Sequence, residues 1–445
     1  MVDAAAIRER LTAVLPKVTD ELVELVAIPS ISAQPQYAAE VARAIDVIAA
    51  HLDELGATRL DVVSAGGHPA LIAHFDVDPA LPTVCLYAHT DVQPTGEVSQ
   101  WTSAPFEATR RGDRLYGRGT ADDKAGVAAH LAALGAFDGK PPVNVIVLVE
   151  GEEEMGSPTL GKILAEHRDE LTADLYIIAD CGNWAIGQPA FTTSLRGVVD
   201  CVVEVRTLEH AVHSGQFGGI VPDALTTLCR LLATLHDEQG NVAVEGLVSS
   251  DEVAVDQDEA TVRSESSLLD GVQLIGTGAF TSRTWTKPSI SVIGLDTTSI
   301  ADSSNTLIPM AKARISLRVA PGDTPANAWN CLKTHLESHV SWNAQLTVTN
   351  GESASPALIT LEHGLQEKAN RAWRAAFGVD PLLIGTGGTI GMIAEFQAAF
   401  PDAGVLGTAV SDPDCRMHGI DESLHVPDWE KVCLAEALLL AELGE

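Results

Sequence analysis

The sequence predicts an α/β fold: a split domain with a mostly parallel sheet flanked by helices, interrupted by a smaller α+β domain. Two observations lead to this prediction. In the first part of the chain, helix-like and strand-like segments alternate, which is typical of a parallel sheet covered by helices. The pattern then changes to strands with period-two alternation, and the first pattern returns near the end. We therefore expect one domain over residues 1–194 and 353–445, and an inserted domain over residues 195–352.

The strands of the split domain are predicted from four apolar runs rich in Val, Ile and Leu. Helical periodicity predicts helices over Ala4–Val26, Ala38–Leu55 and Lys124–Phe137. Sheets of this type bind their ligands at the carboxyl ends of the strands, so the residues that end each run are the candidates for a site. The four runs are LIAHFDV, TVCLYAHTD, VNVIVLVEGE and DLYIIADCG.

The inserted domain is predicted from the order of its segments. GVVDCVVEVRT alternates with period two, and the helix-like segment PDALTTLCRLLATLHDEQ follows it. SISVIGLD and KARISLRVAP are then typical of strands, PANAWNCLKTHLESHV of a helix, and AQLTVTN of a last strand. The order βα followed by ββαβ predicts a ferredoxin-like unit with a sheet covered on one face. The polar stretch Ser249–Ser267 fits either a loop or an irregular helix.

Composition excludes several classes of protein. The 445 residues carry a formal net charge of −33, which argues against nucleic acid and anionic membranes as partners. The N-terminal segment lacks the continuous apolar core of a signal peptide, and no window is long and apolar enough to span a membrane. The seven cysteines are widely spaced without a Cys-x-x-Cys pair, which argues against a disulfide framework. We expect a cytoplasmic protein.

Residues suited to catalysis or metal binding follow the predicted strands. His89 and Asp91 stand two residues apart at the end of TVCLYAHTD and face the same way; alone, they fit a buried histidine satisfied by a carboxylate. Asp122 and Asp123 lie between a glycine-rich turn and a predicted helix. Capping of that helix explains one aspartate but not two. The strands predicted from VNVIVLVEGE and DLYIIADCG also end in carboxylates. These belong to Glu150, Glu152, Glu153, Glu154 and Asp180.

Carboxylates that gather in one cleft need positive charge, because otherwise their pKa values rise and they protonate. The basic residues near these segments are Arg118 and Lys124, and metal ions are the better counter-charge. One histidine with several carboxylates suits zinc, and also manganese or cobalt. The turn-like segment DCRMHGIDES offers His418 as a second histidine ligand.

These motifs occur in the order found in one family of dinuclear zinc metallopeptidases. The segments are HTD, GRGTADDKAG, EGEEEMGS, the strand end at Asp180, HSGQFGG and MHG. The chain resembles this family over nearly its whole length. Its members include carnosinase, cytosolic nonspecific dipeptidase, glutamate carboxypeptidase, acetylornithine deacetylase and succinyl-diaminopimelate desuccinylase. The dipeptidase branch is the most similar, through LYGRGTADDK, EGEEEMGSP, HSGQFGG and RISLRVAPG.

The resemblance implies two Zn²⁺ ions per subunit, with Mn²⁺ or Co²⁺ as alternatives. The implied ligands are His89, Asp122, Glu154, Asp180 and His418. Asp122 would bridge the two ions, with His89 and Asp180 on one side and Glu154 and His418 on the other. The family also has a cis peptide bond after the bridging aspartate.

Three further residues have implied catalytic roles. Glu153 would be the general base, which takes a proton from the attacking water and passes it to the leaving amine. Asp91 would orient His89 and raise its basicity. His213 in HSGQFGG would reach the active site of a partner subunit and help stabilise the oxyanion. That role requires a homodimer formed through the inserted lid/dimerisation domain; from the sequence alone, a loop histidine near a glycine turn is the better interpretation of His213.

The resemblance also implies where the substrate binds. Arg318 would clamp the terminal carboxylate of the substrate, although an arginine alternating with Arg314 on a strand also fits a surface position. The turn GTGGTIGM matches the substrate-binding turn of the family at Gly387, Gly388 and Thr389. It departs from the dipeptidases at Gly391, where these usually have proline, so the side-chain preference is left open.

The resulting prediction is a dinuclear metal-dependent dipeptidase that hydrolyses small dipeptides with a free C-terminal carboxylate. An N-acyl-amino-acid deacylase with the same metal core is the alternative, and the acidic cleft favours the substrate with a cationic amine. A binding module without turnover has no use for a base such as Glu153. A phosphodiesterase would need a cluster of Lys and Arg for its phosphate, which these segments lack.

Overall fold

The computed structural model describes residues 3–388 and 391–445. The chain divides into two compact units. The first consists of Met1–Thr193, Ile359–Ile384 and Met392–Glu445, and the second of Ser194–Leu358 and Gly385–Gly391.

The second unit therefore includes two short segments, residues 353–358 and 385–391, that the sequence predicts in the split domain. Residues 353 and 354 continue a strand of the second unit, where Ser353 and Ala354 pair with Val199 and Val198. In the second of these segments, the Gly387 carbonyl accepts a hydrogen bond from the side chain of Arg196, which belongs to the same unit.

The secondary structure follows the predicted alternation. The helices are α1 Ala4–Val26, α2 Ala38–Glu54, α3 Lys124–Gly135, α4 Leu160–Glu166, α5 Arg168–Leu171, α6 Ser214–Phe217, α7 Ala224–Ala233, α8 Glu259–Glu265, α9 Phe280–Trp285, α10 Pro325–His339, α11 His363–Phe377, α12 Gly391–Ala399 and α13 Val426–Leu443. The strands are β1 Arg59–Val63, β2 Ala70–Phe75, β3 Thr83–His89, β4 Thr109–Arg111, β5 Arg114–Tyr116, β6 Asn144–Glu150, β7 Leu175–Gly182, β8 Ala190–Leu195, β9 Gly197–Arg206, β10 Val212–His213, β11 Ser289–Asp296, β12 Thr306–Leu307, β13 Met310–Val319, β14 Gln345–Ala354, β15 Ala357–Leu358, β16 Leu382–Thr386, β17 Gly404–Ser411 and β18 Ser423–His425.

The main sheet of the first unit is parallel at its centre. Its strands follow the order β1-β2-β6-β3-β7-β17-β8. The pairs β6–β3, β3–β7 and β7–β17 are parallel, whereas β1–β2, β2–β6 and β17–β8 are antiparallel. The three parallel pairs bring the ends of β3, β6 and β7 to the same edge of the sheet, as the sequence predicts.

Helices cover this sheet, and the hydrophobic core of the first unit lies between them and the sheet. Every residue of α3 is buried, because α3 packs between the sheet and the helices α1 and α13. In α1 the buried apolar residues Leu11, Val18, Leu22 and Leu25 recur at the helical spacing of three or four with one longer step. Trp429 of α13 is fully buried, and its indole donates a hydrogen bond to the main chain of α3.

The second unit has ferredoxin-like topology. Its antiparallel sheet has the order β11-β13-β9-β14, and the chain order of its main elements is β9, α7, β11, β13, α10, β14. Alternate residues of β9, such as Val199, Val203 and Val205, are fully buried together with Leu228 of α7 and Leu332 of α10. The polar stretch that the sequence left open contains the short helix α8.

Within residues 3–388 and 391–445, no helix is long and apolar enough to cross a membrane. All seven cysteines are free.

Candidate metal centre

The ends of two neighbouring parallel strands start the candidate site. His89 is the last residue of β3 and is fully buried, and Asp180 lies near the end of β7, which pairs with β3. The imidazole Nε2 of His89 is 3.8 Å from the nearer carboxylate oxygen of Asp180. The parallel pairing thus turns two separate sequence motifs into adjacent side chains.

Asp122 connects this pair to a second group. Its Oδ1 lies 3.0 Å from Nε2 of His89, and its Oδ2 lies 2.9 Å from Nε2 of His418. The peptide bond between Asp122 and Asp123 is cis, as the resemblance implies. Each carboxylate oxygen of Asp122 therefore faces a different histidine.

Glu154 and His418 complete the second group. Nε2 of His418 is 3.2 Å from Oε2 of Glu154. Glu154 belongs to a short 3₁₀ helix, Glu153–Met155, directly after β6. Gln93 holds its carboxylate in place, with the main-chain N–H of Gln93 at 3.1 Å from Oε1 and the side-chain amide at 2.7 Å from Oε2.

Two groups of side chains thus each offer three ligand atoms within 4.8 Å of one another: His89 with Asp123 and Asp180, and Asp122 with Glu154 and His418. Asp123 was not among the implied ligands, and capping of the following helix explained only one of the two aspartates. It occupies the N-cap position of α3 without a side-chain capping bond. Its Oδ2 accepts the main-chain N–H of His89 at 3.3 Å, and its buried Oδ1 has no hydrogen-bond partner among the described residues.

The site has an excess of negative charge. Burial, together with the charges of Asp122 and Glu154, raises the pKa of Asp180 to about 6. Burial and the charge of Asp180 raise the pKa of Glu153 well above its ordinary value. Hydrogen bonds to Asp122 and Glu154 raise the pKa of His418 to about 10. All three shifts follow from carboxylates that lie close together at a buried site.

The donor set fits a pair of metal ions. Two imidazole nitrogens and several carboxylate oxygens are ligands that zinc, manganese and cobalt accept. Asp122 presents one oxygen to each group, which is the arrangement that a bridging carboxylate needs. The buried Oδ1 of Asp123, for which residues 3–388 and 391–445 provide no hydrogen-bond partner, is a further oxygen that positive charge would stabilise.

Asp91 holds two parts of the site together. The Nδ1–H of His89 donates to the main-chain oxygen of Asp91 at 3.1 Å, and the carboxylate Oδ1 is slightly farther, at 3.4 Å. The two oxygens of that carboxylate accept the main-chain N–H groups of Glu153 and Glu154, each at 3.1 Å. Asp91 is fully buried, so its carboxylate fixes the turn that carries Glu153 as well as lying beside His89.

The remaining predicted residues belong to the second unit. His213 is exposed, and its Nδ1 accepts the main-chain N–H of Gly215 at 3.0 Å. Arg318 lies on β13, opposite Ser289 of β11. Gly387 and Gly388 belong to this unit as well, and Thr389 lies outside the described residues.

Sequence reasoning missed Arg196 in this unit. Its guanidinium is largely buried and donates to the carbonyl of Gly387 at 3.2 Å and to the hydroxyl of Ser289 at 2.9 Å. Ser289, which Arg196 contacts, lies opposite Arg318 in the sheet, and burial together with the charge of Arg318 lowers the pKa of Arg196 to about 10. The signal in the sequence was a single arginine between two strands, which has no distinctive pattern.

The chain matches one family model and is similar to known proteins in both sequence and structure. Residues 85–442 match the model of peptidase family M20/M25/M40. The chain is 34% identical to a cysteinylglycine-S-conjugate dipeptidase of Corynebacterium striatum, covering 96% of both chains. It is 30% identical to a Beta-Ala-His dipeptidase of Rattus norvegicus, over 84% of this chain and 82% of the relative. The crystal structure of human carnosine dipeptidase 1 superposes with a TM-score of 0.80 at 26% identity, over 100% of this chain and 99% of the other. The chain therefore belongs to peptidase family M20/M25/M40.

Proposed function

We propose that the protein is a dinuclear metal-dependent dipeptidase, which hydrolyses the peptide bond of small dipeptides with a free C-terminal carboxylate. The observation that carries this proposal is the position of Asp122, with one carboxylate oxygen at 3.0 Å from His89 and the other at 2.9 Å from His418. The relatives named above are dipeptidases, which favours this activity over N-acyl-amino-acid deacylation.

The residues that would hold the ions are the ones that converge at the ends of the strands. His89 and Asp180 would bind one ion, Glu154 and His418 the other, and Asp122 would bind both. Bound Zn²⁺, or Mn²⁺ or Co²⁺ in its place, would lower the pKa of a water molecule and polarise the carbonyl of the substrate.

Glu153 is the proposed general base. It directly precedes the proposed ligand Glu154, and its carboxylate can take up a proton and release it again. Its carboxylate accepts a proton from the attacking water and then delivers it to the nitrogen of the leaving amine. Asp91 supports this transfer, because its carboxylate holds the main chain of the turn on which Glu153 lies.

The second unit supplies the proposed substrate clamp. Arg318 binds the terminal carboxylate, since a guanidinium can donate two parallel hydrogen bonds to it. The neighbouring Arg196 adds positive charge and holds the turn with Gly387 through its carbonyl. Gly388 and Thr389 complete the proposed substrate-binding turn.

We also propose a homodimer formed through the second unit, with His213 of one subunit acting at the active site of the other. Two features of the described residues support it. His213 is exposed on its short strand. Strand β11 lies at one end of its sheet and exposes Val292, Ile293 and Leu295, which is unusual for an edge that stays in water.

The seven free cysteines support a cytoplasmic location, because thiols stay reduced there.

The test of this proposal combines metal content with activity. Protein purified without chelators should contain close to two metal ions per chain. Glu153→Gln should keep them while the rate on dipeptides falls by roughly 10²- to 10⁴-fold, as for loss of a general base. Dipeptides, dipeptide amides and N-acetyl amino acids should be compared with zinc, manganese and cobalt. An active protein without metal, full activity of Glu153→Gln, or a preference for N-acetyl amino acids would each contradict the proposal.

A further inference from the structure

Glu422 lies at the centre of a hydrogen-bond network that the proposed chemistry does not use. Its carboxylate is fully buried. Oε2 accepts the main-chain N–H of Gly119 at 3.0 Å, and Oε1 accepts those of Ala121 at 3.0 Å and Asp122 at 3.2 Å. A single side chain from the last part of the chain thus binds the segment that carries the shared ligand Asp122.

Arg118 is the counter-charge of Glu422 and reaches two further segments. Its Nη1 lies 2.5 Å from Oε2 of Glu422. Its Nη2 donates to the carbonyls of Pro94 at 3.2 Å and Gly419 at 3.1 Å. Arg118 is almost completely buried, and its guanidinium lies over the ring of Trp101 at 5.5 Å.

Two of the segments joined in this way carry the proposed ligands Asp122 and His418, and the third follows Asp91. Gly419 follows His418 directly, Pro94 lies three residues after Asp91, and Asp122 is itself a hydrogen-bond donor to Glu422. The side chain of His418 is exposed, so its position depends on how its loop is held. His89 and Asp180, in contrast, stand on paired strands of the sheet.

We propose that Glu422 and Arg118 are positioning residues, which fix the distance between Asp122 and His418 and so set the affinity of the metal site that His418 completes. The inference rests on the proposed dinuclear centre. A purely structural role for a buried pair is also common, and the two roles differ in their consequences. A positioning pair changes the binding of one ion, whereas a structural pair changes the stability of the whole unit.

The experiment measures zinc retained per chain when the loaded protein is equilibrated with buffers of graded free Zn²⁺. Wild-type protein should retain two ions. Glu422→Gln keeps the shape of the side chain but removes its charge. It should need about 10- to 100-fold more free Zn²⁺ to retain the second ion, the usual cost of disturbing a group that orients a ligand. Retention of the first ion should change less than that of the second, because His89 and Asp180, two of its three proposed ligands, stand on the paired strands β3 and β7, and it shares with the second ion only Asp122.

Glu436→Gln is the matched control. Glu436 is as deeply buried, and its carboxylate binds Nδ1 of His130 at 2.8 Å rather than the segments that carry Asp122 and His418. This variant should retain both ions as wild-type protein does. If Glu422→Gln retains zinc as wild-type protein does, or loses both ions together at a lowered melting temperature, the positioning role is wrong.

A second variant covers the case in which Glu422→Gln does not fold. Arg118→Lys keeps the positive charge opposite Glu422 but cannot also reach Pro94 and Gly419, so about tenfold weaker retention of the second ion is expected. Unchanged retention would contradict the inference. Fewer than two ions in wild-type protein would instead refute the dinuclear centre itself, so the two failures are distinguishable.

Discussion

Substitution of Asp91 tests how strongly its carboxylate holds the turn that carries Glu153 and Glu154. In Asp91→Asn, one oxygen remains and the other becomes an NH₂ group, which faces the main-chain N–H of Glu153 or Glu154 instead of accepting it. Losing one hydrogen bond to a charged acceptor costs about 1.5–3 kcal/mol. If that loss falls on the transition state, kcat/KM should drop by roughly 10- to 150-fold.

Steady-state kinetics on a dipeptide provides the assay, with metal content measured on the same samples. We expect kcat to fall while both ions remain bound, since the imidazole of His89 keeps its bond to the main-chain oxygen of Asp91. Asp174→Asn is the matched control, because Asp174 accepts the main-chain N–H of Thr83 at 2.8 Å at the opposite end of β3. It should remain within about threefold of wild type, as is usual for an exposed position. An Asp91→Asn variant with normal kcat and full metal content would refute the reasoning.

Three further predictions concern the substrate clamp, the dimer and the fold. Arg318→Ala should raise KM for dipeptides by the equivalent of about 1.5–3 kcal/mol, and equal rates on dipeptide acids and amides would contradict the clamp. His213→Ala and Glu153→Gln should each be nearly inactive. A mixture that forms heterodimers should regain activity, at most about a quarter of the wild-type level, because half of the dimers are heterodimers and each has one intact site. If no activity returns, His213 acts in the site of its own subunit or in none. Gly139→Ala should lower the thermal midpoint by several degrees, because Gly139 has φ +69° and a Cβ there would lie 1.7 Å from the carbonyl oxygen of Leu55; an unchanged midpoint would mean that this loop rearranges freely.

Some features of the fold and of the site could be predicted from the sequence and others could not, and particular residues show why. His89 and Asp180 end apolar runs, and parallel strands bring their ends together, so the convergence of these residues followed from local patterns. The helix predicted over Lys124–Phe137 ends at Gly135, within the usual uncertainty of helix ends.

Glu422 illustrates what local patterns cannot reveal. It stands in the segment GIDES, which by composition is typical of an exposed turn, yet its carboxylate is fully buried. Its burial depends on Arg118 and on main-chain donors some three hundred residues earlier in the chain. The second task of Asp91 was missed for the same reason, because the N–H groups it binds belong to a turn whose position only the sheet determines.

The position of His418 along the chain affects when activity can arise during synthesis. The residues of β3 and β7 are translated before the whole second unit, whereas His418 follows it. Ribosomes add about 5–20 residues per second, so on the order of ten seconds or more separate Asp180 from His418. During that interval a nascent chain has the proposed base and four of the five proposed ligands, but it lacks His418. Peptide hydrolysis is therefore expected only after His418 has been made, and chains that terminate within the second unit should be inert rather than unregulated peptidases.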